Sequence, residues 1–462
     1  MYHKYSPISF NAPLSTRLTE KRLDLGTLEP EHHDALKLLS RSGAVPLGTL
    51  LSNKCFRGVS LKASDYKQKG VSVIKIGTIT GQGGINREKL SYVAPELYSR
   101  SALACGLRPD DIIVVATGDG SIGNTALFAD DEPALTTAEN CVVRVDESQT
   151  DPYYVAAFLL TKYGRAQLEA NALGPSGQTH LYPHQVERIV IPLLPGAKGI
   201  GESYRKAFDL RKKIDQIPAL VGQVFEKYFS KSRTAKRDIS NSVPIRICIS
   251  ERRLDPSFWS PAAAELNNAL TRARGTISLL RDLVLTPIHR GRQPNYEESA
   301  AIPVLKTTDV HNRRIAWERC RKVEEGQFVD TPFAQLQRDD IVVTSTGEGS
   351  WGRAALVDRD KAWADGHLAV IRIDKRLIDP YAVLAFLWSD YGRIQLEQRV
   401  RGSTGQTEIY PQDIETLRII MPSIPDQDFI RGEILNQFAF LDEADSIQNE
   451  CIKKIESILE EY

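Results

Sequence analysis

Two glycine-rich loops have the composition and spacing best suited to binding an anion. Residues 118–123 read Gly-Asp-Gly-Ser-Ile-Gly, and residues 347–352 read Gly-Glu-Gly-Ser-Trp-Gly. Closely spaced glycines allow backbone amides to approach a phosphate oxygen. Neither loop completes a nucleotide-binding fingerprint, because the chain has no G-x-x-x-x-G-K-[S/T] sequence and neither loop opens a dinucleotide-binding helix. Two interpretations stay open: a tight turn between two strands, or a backbone contact to a DNA phosphate.

A second pair of loops is short and polar, with side chains that can hydrogen-bond to phosphate. Residues 176–179 read Ser-Gly-Gln-Thr and residues 404–407 read Thr-Gly-Gln-Thr, each just before a predicted strand. Hydroxyl groups, amide side chains and backbone amides are frequent donors to the DNA backbone. A simple turn is the alternative interpretation.

The basic side chains are concentrated in two segments, although the whole chain has 59 basic and 59 acidic residues. Residues 51–92 have a net charge of +6, and residues 286–322 have a net charge of +4. Arginine, lysine, asparagine and glutamine are side chains that bind base edges in the major groove. Because the two segments differ in sequence, they predict two readers of different DNA sequences.

The candidate DNA-binding residues combine the loops, the basic segments and a few further polar positions. In the first half of the chain they are Arg57, Lys62, Lys67, Lys69, Lys75, Thr117, Gly118, Ser121, Asn140, Ser176, Gln178 and Thr179. In the second half they are Arg290, Arg292, Gln293, Asn295, Lys306, Thr346, Gly347, Ser350, His367, Thr404, Gln406 and Thr407. Matching loops predict phosphate contacts, and differing side chains such as Arg57, Arg290 and Arg292 predict contacts to base edges.

The sequence lacks motifs for catalysis or cofactor binding. Residues 151–154, Asp-Pro-Tyr-Tyr, are weakly similar to the Asp-Pro-Pro-Tyr motif of adenine methyltransferases, but the second proline is missing and no glycine-rich S-adenosylmethionine loop precedes them. A helix start is the better interpretation. No histidine belongs to an H-E-x-x-H pattern, and the six cysteines form no C-x-x-C pair. We therefore expect a non-catalytic chain that binds no metal and no cofactor of its own.

The composition is ordinary for a globular protein. The 462 residues are 42% hydrophobic and 26% charged, and a chain of this length has room for about two to four domains. No apolar run approaches the roughly 18 residues of a membrane-spanning helix. Residues 1–10 lack the basic and apolar segments of a secretory signal. We expect a cytoplasmic protein with no membrane partner.

The elements that must position these residues are arranged as a tandem duplication. The Arg-Leu-Asp sequence at residues 22–24 recurs 231 residues later, and Asp-Asp-Ile at residues 110–112 recurs 229 residues later. Five further motifs between residues 151 and 183 recur at an offset of 228. So many ordered matches at a nearly constant offset indicate a repeated unit of about 230 residues.

Each repeat predicts the same order of elements, and the fold class is α/β (α+β). A helix (residues 31–39 and 261–270) precedes short strands rich in β-branched residues. The Asp-Pro pairs at residues 151 and 379 then predict helix starts, because aspartate caps free amides and proline fits the first turn.

Each repeat ends in a long helical pattern, and the two patterns predict an antiparallel coiled coil. Residues 200–237 have a net charge of +6 and residues 426–462 a net charge of −7, so the two helices suit each other electrostatically. About 30 residues at 1.5 Å each predict a rod about 45 Å long. That length spans roughly 13 base pairs of DNA at about 3.4 Å each. Pro218 is expected to kink or split the first helix.

These motifs resemble those of the specificity (S) subunit of type I restriction-modification systems. The resemblance rests on Arg-Leu-Asp at the start of each repeat and on Asp-Asp-Ile-Ile/Val followed by a Thr-Gly-x-Gly-x-x-Gly loop. It also rests on Gly-Ser-Thr-Gly-Gln-Thr-Glu-Ile-Tyr-Pro at residues 402–411 and on Met-Pro-Ser-Ile-Pro-Asp-Gln at residues 421–427, which is similar to the family's Pro-x-x-Pro-x-x-Gln helix entry. The first repeat departs from this pattern, because residues 192–196 are not followed by the glutamine and residues 174–178 read Gly-Pro-Ser-Gly-Gln.

The resemblance implies a non-catalytic chain with two target-recognition domains, each reading one half of a bipartite, asymmetric DNA site. The implied partners are double-stranded DNA, two modification subunits that use S-adenosylmethionine to methylate adenine and, where present, two restriction subunits that use ATP with Mg²⁺. The implied role is DNA methylation and phage defence.

The expected domain boundaries combine the repeat with this family pattern. They are an N-terminal segment 1–20, a first recognition domain 21–197, a central spacer helix 198–237, a linker 238–250, a second recognition domain 251–425 and a C-terminal spacer helix 426–462. A stand-alone DNA-binding regulator and a recognition subunit of another phage-defence system stay open as alternatives. A methyltransferase fused to its own recognition domain is disfavoured, since its catalytic motifs are missing.

Overall fold

A computed structural model describes residues 30–118, 120–172, 179–229, 245–250, 258–311, 314–347, 350–402 and 407–462. The candidate residues Ser176, Gln178, Thr404 and Gln406 and both Arg-Leu-Asp sequences lie outside the described residues. The chain divides into two compact units. Unit 1 combines Met1–Arg211 with Asp442–Tyr462, and unit 2 is Lys212–Leu441.

Helices within the described residues follow the order that the repeat predicts. They are α1 (Pro30–Arg41), α2 (Pro95–Cys105), α3 (Pro152–Leu160), α4 (Lys162–Asn171), α5 (Pro183–Val186), α6 (Ala197–Glu226), α7 (Ile245–Ser250), α8 (Pro261–Thr271), α9 (Glu325–Val329), α10 (Pro380–Trp388), α11 (Asp390–Arg399), α12 (Pro411–Ile414) and α13 (Ile424–Glu460). The helices predicted at residues 31–39 and 261–270 are confirmed as α1 and α8.

The helix starts predicted from the two Asp-Pro pairs are also confirmed. The Asp151 carboxylate accepts a hydrogen bond from Tyr153 N over 2.7 Å, and the Asp379 carboxylate accepts one from Tyr381 N over 2.8 Å. Eight of the nine residues of α3 and of α10 are buried. A helix that is apolar on all sides has to lie within a core, so α3 and α10 are the central helices of their units.

The described residues of unit 1 form two four-stranded sheets and one short strand pair. Its strands are β1 (Val45–Pro46), β2 (Phe56–Arg57), β3 (Tyr66–Lys67), β4 (Val71–Ile74), β5 (Ser91–Val93), β6 (Asp111–Val115), β7 (Thr125–Phe128), β8 (Ala134–Thr136), β9 (Asn140–Val143) and β10 (Val190–Ile191). The first sheet has the antiparallel order β2-β9-β6-β7. The second has the order β3-β5-β4-β8, in which β4 and β8 are parallel.

Unit 2 repeats this arrangement. Its strands are β11 (Ile277–Leu279), β12 (His289–Arg290), β13 (Ile302–Leu305), β14 (Arg321–Val323), β15 (Gln335–Leu336), β16 (Ile341–Thr344), β17 (Ala354–Leu356), β18 (Ala362–Ala364), β19 (Leu368–Ile371) and β20 (Arg418–Ile420). The first sheet has the order β12-β19-β16-β17, and the second has the order β14-β13-β18-β15 with β13 and β18 parallel. The duplicated α/β fold is therefore confirmed within each unit.

The central strands are continuous apolar runs because both of their faces are covered. In β6, Ile112 and Val114 pack into the same core as α3, whereas Ile113 packs into a second core with Ile74 and Phe128. Strand β16 divides its side chains between two cores in the same way. Successive side chains of a strand point to opposite faces, so each first sheet separates a helical layer from its second sheet.

In unit 1, the beginning of α6 packs antiparallel to the end of α13. Arg211 Nη2 lies 3.0 Å from Asp445 Oδ1, and the Cys451 thiol donates to Ile200 O over 3.7 Å. In unit 2, the rest of α6 packs antiparallel to the beginning of α13. Lys227 Nζ lies 2.8 Å from Asp426 Oδ1, and Lys213 Nζ lies 5.6 Å from the centre of the Phe440 ring.

The apolar residues that recur every three or four positions along the two long helices form the seam predicted for a coiled coil, and most of them are buried. Buried seam residues are Tyr204, Phe208, Ile214, Val221, Val224, Ile430, Ile434, Cys451 and Ile455. The expectation that Pro218 splits the first helix is wrong, because α6 runs without a break from Ala197 to Glu226. Proline removes only one backbone donor, and the buried side chains on both sides of it hold the helix together.

Candidate nucleic-acid interface

The glycine-rich loops are tight turns between neighbouring antiparallel strands, one joining β6 to β7 and the other joining β16 to β17. Gly118 has φ +110° and Gly347 has φ +99°, which are values that side-chain-bearing residues rarely adopt. In unit 1 the turn is closed by Gly123 N, which donates to Val115 O over 2.9 Å, and the matching bond in unit 2 is 2.7 Å long. The turn interpretation is confirmed, and phosphate binding stays a prediction.

The serine hydroxyl of the second turn serves the turn itself. Ser350 Oγ lies 3.0 Å from Thr346 O and 3.1 Å from Gly347 O, and it donates to these carbonyls. Ser121 occupies the matching position, where its amide donates to Gly118 O over 3.4 Å. In each turn the serine therefore forms a hydrogen bond within the turn, through its hydroxyl in unit 2 and through its amide in unit 1.

Each glycine-rich turn lies directly beside the end of its polar loop. Leu181 N donates to Ala116 O in unit 1, and Ile409 N donates to Ser345 O in unit 2, both over 2.8 Å. Thr117 and Thr346 form matching β-bridges with the residues that precede Leu181 and Ile409. In each unit the glycine-rich turn and the residues that follow the polar loop thus form one edge.

Arg57 and Arg290 occupy equivalent positions on β2 and β12, and both are partly buried. Arg57 donates to Ala138 O over 3.3 Å and to Leu181 O over 3.1 Å, and Arg290 donates to Ile409 O over 3.3 Å. The prediction that these two arginines differ between the repeats is therefore wrong. Because their guanidinium groups are bonded to the protein backbone, they brace the edge, and their contact with bases stays a prediction.

Arg57 and Arg290 each also contact a half-exposed tyrosine, which the sequence analysis did not include among the candidate residues. The Arg57 guanidinium lies 5.3 Å from the centre of the Tyr182 ring, and Arg290 lies 5.3 Å from that of Tyr410. Tyr182 is 43% exposed and Tyr410 is 41% exposed. The sequence contains a signal for these tyrosines, because the Tyr-Pro pair recurs at an offset of 228. Exposed aromatic rings beside basic groups are common at nucleic-acid surfaces.

Lys75 and Lys306 are likewise equivalent and each contacts a tyrosine. Lys75 Nζ lies 4.9 Å from the centre of the Tyr66 ring, and Lys306 Nζ lies 4.6 Å from that of Tyr296. Burial, followed by the negative charges of Glu139 and a neighbouring aspartate, raises the pKa of Tyr66. Lys75 directly follows β4, which is parallel to β8, and Lys306 directly follows β13, which is parallel to β18. Binding groups commonly lie at the carboxyl ends of strands in α/β sheets.

Asn140 is not placed to contact DNA. It is completely buried in β9, and its amide donates to Thr136 Oγ1 over 2.9 Å and to Ile74 O over 3.5 Å. The prediction of a DNA contact at this position is therefore wrong for this conformation. The asparagine joins the two sheets of unit 1.

The exposed polar side chains of unit 2 are held at the edge by their backbones. Arg292 N donates to Ala364 O over 2.9 Å, and Arg292 O accepts from Trp363 Nε1, while the Arg292 side chain is exposed. Gln293 Nε2 donates to Tyr296 OH over 3.2 Å. Asn295 is exposed on the same segment. These positions keep their predicted role as candidate base readers.

The lysines of the first basic segment lie around the short edge strand β3. Lys62, Lys67 and Lys69 are exposed, and Lys67 Nζ donates to Ser64 O over 3.2 Å. This strand contains Tyr66, the partner of Lys75. The segment therefore adjoins the candidate edge through this tyrosine.

His367, Thr179 and Thr407 are the remaining candidate DNA-binding residues that lie within the described part of the chain. Thr346 Oγ1 lies 3.0 Å from His367 Nδ1, and Gly347 N donates to Thr407 O over 3.3 Å. The Thr407 hydroxyl is enclosed and has no hydrogen-bond partner within the described part of the chain. It therefore does not reach a phosphate in this conformation, which corrects the expected side-chain contact. Thr179 is partly buried beside the bridge residue that follows it.

Two further findings concern the described residues only. They contain no group of three or more histidine, cysteine, aspartate or glutamate side chains that could hold a metal ion. None of their helices combines the length and the apolar character that crossing a membrane requires.

Comparison with known proteins identifies similar solved structures. No family model matches the chain, and no curated protein matches it. The type I restriction-modification system S subunit from M. genitalium is 12% identical, with 90% of this chain and 94% of that chain covered at a TM-score of 0.41. A chain from a structure on complex assembly and conformational transition of the type I restriction-modification system is 14% identical, with 90% and 96% covered at a TM-score of 0.30.

A third similar structure is the HsdS subunit from Thermoanaerobacter tengcongensis, which is 13% identical, with 90% of this chain and 95% of that chain covered at a TM-score of 0.27. All three structures come from type I restriction-modification systems, the systems whose specificity subunit the sequence motifs resemble.

Proposed function

We propose that this chain is the DNA sequence-recognition subunit of a type I restriction-modification complex. In this proposal each unit reads one half of a bipartite, asymmetric DNA site. The chain itself is non-catalytic and binds no cofactor. The motif resemblance supports this proposal, and so does the edge that unit 1 and unit 2 each build.

The observation that carries the proposal is a repeated scaffold with differing exposed side chains. Each unit has a glycine-rich turn beside a polar loop, a bonded arginine behind them and a half-exposed tyrosine next to the arginine. The exposed residues around this scaffold differ, and Arg292 is an example from unit 2. Common features suit contacts to the sugar-phosphate backbone, which is the same at every site, and differing side chains suit base edges.

The proposed partners follow from the same assignment. The long helices α6 and α13 would dock two modification (methyltransferase) subunits, which use S-adenosylmethionine to methylate adenine. Restriction subunits, where present, would use ATP with Mg²⁺. The system as a whole would act in phage defence.

Co-purification from the source organism tests this proposal. A tagged full-length chain is expected to bring down a methyltransferase subunit at two copies per chain, and the complex is expected to methylate adenine within one bipartite sequence. The chain alone is expected to transfer no methyl group. A chain that acts on DNA without a partner would instead support a stand-alone regulator. A stable partner that is not a methyltransferase would support a recognition subunit of another defence system.

A further inference from the structure

A reciprocal exchange of two polar side chains distinguishes the two candidate edges. Unit 1 has Glu139 and His180, and at the equivalent positions unit 2 has His367 and Glu408. Glutamate and histidine are thus both present in each unit, but in exchanged places. All four side chains are accessible to solvent, with Glu139 and His367 the more exposed.

The equivalence of these positions rests on backbone hydrogen bonds. Ala116 N donates to Glu139 O over 2.9 Å, and Ser345 N donates to His367 O over 2.9 Å. The next residue along each chain forms the β-bridge, between Thr117 and His180 in unit 1 and between Thr346 and Glu408 in unit 2. The two exchanged side chains of each unit are therefore attached to segments that meet at one point of the edge.

In unit 1 this junction is braced from behind by Arg57. Its two hydrogen bonds go to Ala138 O and Leu181 O, the residues adjacent to Glu139 and His180. A side chain that reads a base has to be held in a fixed place. The brace fixes the backbones of both segments and leaves the two polar side chains at the surface.

In unit 2, the side chains of His367 and Glu408 each keep atoms that can form a hydrogen bond to a ligand. His367 uses Nδ1 on Thr346 Oγ1, which leaves its Nε2 for a ligand. Arg290 Nη2 lies 3.5 Å from one oxygen of Glu408, whose side chain is 35% exposed. A carboxylate accepts hydrogen bonds, and an imidazole nitrogen can donate one.

We infer that Glu139 with His180, and His367 with Glu408, are specificity-determining residues that read base edges, and that their exchange makes the two units prefer different bases. The carboxylate accepts from an exocyclic amino group of cytosine or adenine, and the imidazole donates to a purine acceptor. This inference rests on the proposed function, because it assigns base readers within the proposed DNA edge.

The test exchanges the two residues of unit 2. The double variant His367→Glu/Glu408→His keeps the composition and the charge, so electrostatic attraction to DNA is preserved. Binding-site selection from randomised duplex DNA is performed with the full-length chain and the subunits that co-purify with it. The expected result is an altered base preference, by about ten-fold at one or two positions, in one half-site only, with the other half-site unchanged.

Two further variants keep the test decisive. Glu139→His/His180→Glu makes the reciprocal exchange in unit 1 and is expected to alter only the other half-site. Asp360→His changes an exposed carboxylate on the turn between β17 and β18 and is expected to leave both half-sites unchanged. Circular dichroism and thermal unfolding establish that each variant is folded.

The outcomes separate the inference from the proposed function. If the unaltered chain selects a bipartite sequence and neither exchange changes the preferred bases, the inference is wrong and the proposed function stands. A uniform loss of affinity for all sequences has the same meaning. If the unaltered chain selects no sequence, the proposed function fails and the inference fails with it.

Discussion

Arg372 holds the buried carboxylate of Asp340 at two points, with Nε 2.8 Å from Oδ1 and Nη2 2.7 Å from Oδ2. The same guanidinium donates to Gln335 O in β15, so it connects the first sheet of unit 2 to the second. Unit 1 contains the same arrangement, in which Arg144 binds Asp111 over 2.7 Å at both points. This geometry gives a physical reason for the repeated Asp-Asp-Ile sequence, since its second aspartate is the acceptor.

Replacement of Arg372 by alanine is expected to lower the free energy of unfolding by about 3–5 kcal/mol, because it leaves the carboxylate of Asp340 buried without its cation. Denaturant titration of the full-length chain measures this change. Arg338→Ala removes an ion pair whose two side chains are 55% and 81% exposed, and it is expected to cost far less, because solvent screens an exposed pair. Equal costs for the two variants would contradict the role assigned to the buried pair.

Gln437 of α13 is completely buried, and neither its Oε1 nor its Nε2 has a hydrogen-bond partner within the described part of the chain. An unsatisfied buried polar group costs about 1–3 kcal/mol. Replacement by leucine is therefore expected to raise the free energy of unfolding by about that amount. Thermal and denaturant unfolding measure the gain.

Gln427, ten residues earlier on the same helix, is the matched control. Its Oε1 accepts from Asp379 N and its Nε2 donates to Pro422 O, both over 2.8 Å. Replacement of Gln427 by leucine is expected to destabilise the protein, because it breaks two satisfied bonds. Stabilisation by both substitutions would show that hydrophobicity alone, and not the missing partners, explains the effect at Gln437.

The hydrogen bond from Lys227, followed by that from Tyr228, lowers the pKa of Asp426 below its usual value of 3.8. The two donors lie 2.8 Å and 2.5 Å from the carboxylate. A depressed pKa means that this contribution to stability is fully present above the unfolded value and is lost as the pH falls through the folded value. We expect Asp426→Asn to cost about 1–2 kcal/mol at pH 7 and to make stability less dependent on pH below about 4.

Unfolding titrations at pH 7, 4 and 3 measure this dependence for the original chain and for the variant. The difference between the two proteins is expected to shrink as the pH falls. An unchanged difference at all three pH values would contradict the assignment of the depressed pKa to this contact.

The sequence was sufficient to predict the duplication, because motifs such as Asp-Asp-Ile keep a nearly constant offset. It was not sufficient to pair Arg57 with Arg290, which are 233 residues apart, while Asp111 and Asp340 are 229 apart. The offset drifts because the connecting loops differ in length between the repeats, so a search at one offset misses equivalent residues. The burial of individual polar residues could also not be predicted from the sequence. Asn140 has a side chain suited to DNA, and only the packing of two sheets shows that it is enclosed.

Gly347 is expected to tolerate no side chain. It has φ +99°, and an added Cβ would collide with Ser350 Oγ. We predict that Gly347→Ala lowers the free energy of unfolding by about 1–2 kcal/mol and weakens DNA binding without changing base preference. In contrast, Gly432 lies in α13 with open space at its Cβ position, so Gly432→Ala is expected to stabilise the helix by about 0.5–1 kcal/mol. Full DNA affinity in Gly347→Ala would exclude the turn from the binding edge.

Arg292 and Thr407 are expected to differ in how their loss affects recognition. The Arg292 side chain is exposed on a backbone anchored to β18, and a paired arginine contact to a base is worth about 1–3 kcal/mol of discrimination. Arg292→Ala is therefore expected to relax base preference within one half-site. The enclosed Thr407 hydroxyl can act only through the placement of its loop, so Thr407→Ala is expected to weaken binding to all sequences about equally. Binding-site selection with both variants separates these two effects. The assignment would be reversed if Arg292→Ala lowered the affinity for all DNA sequences equally and Thr407→Ala altered the base preference.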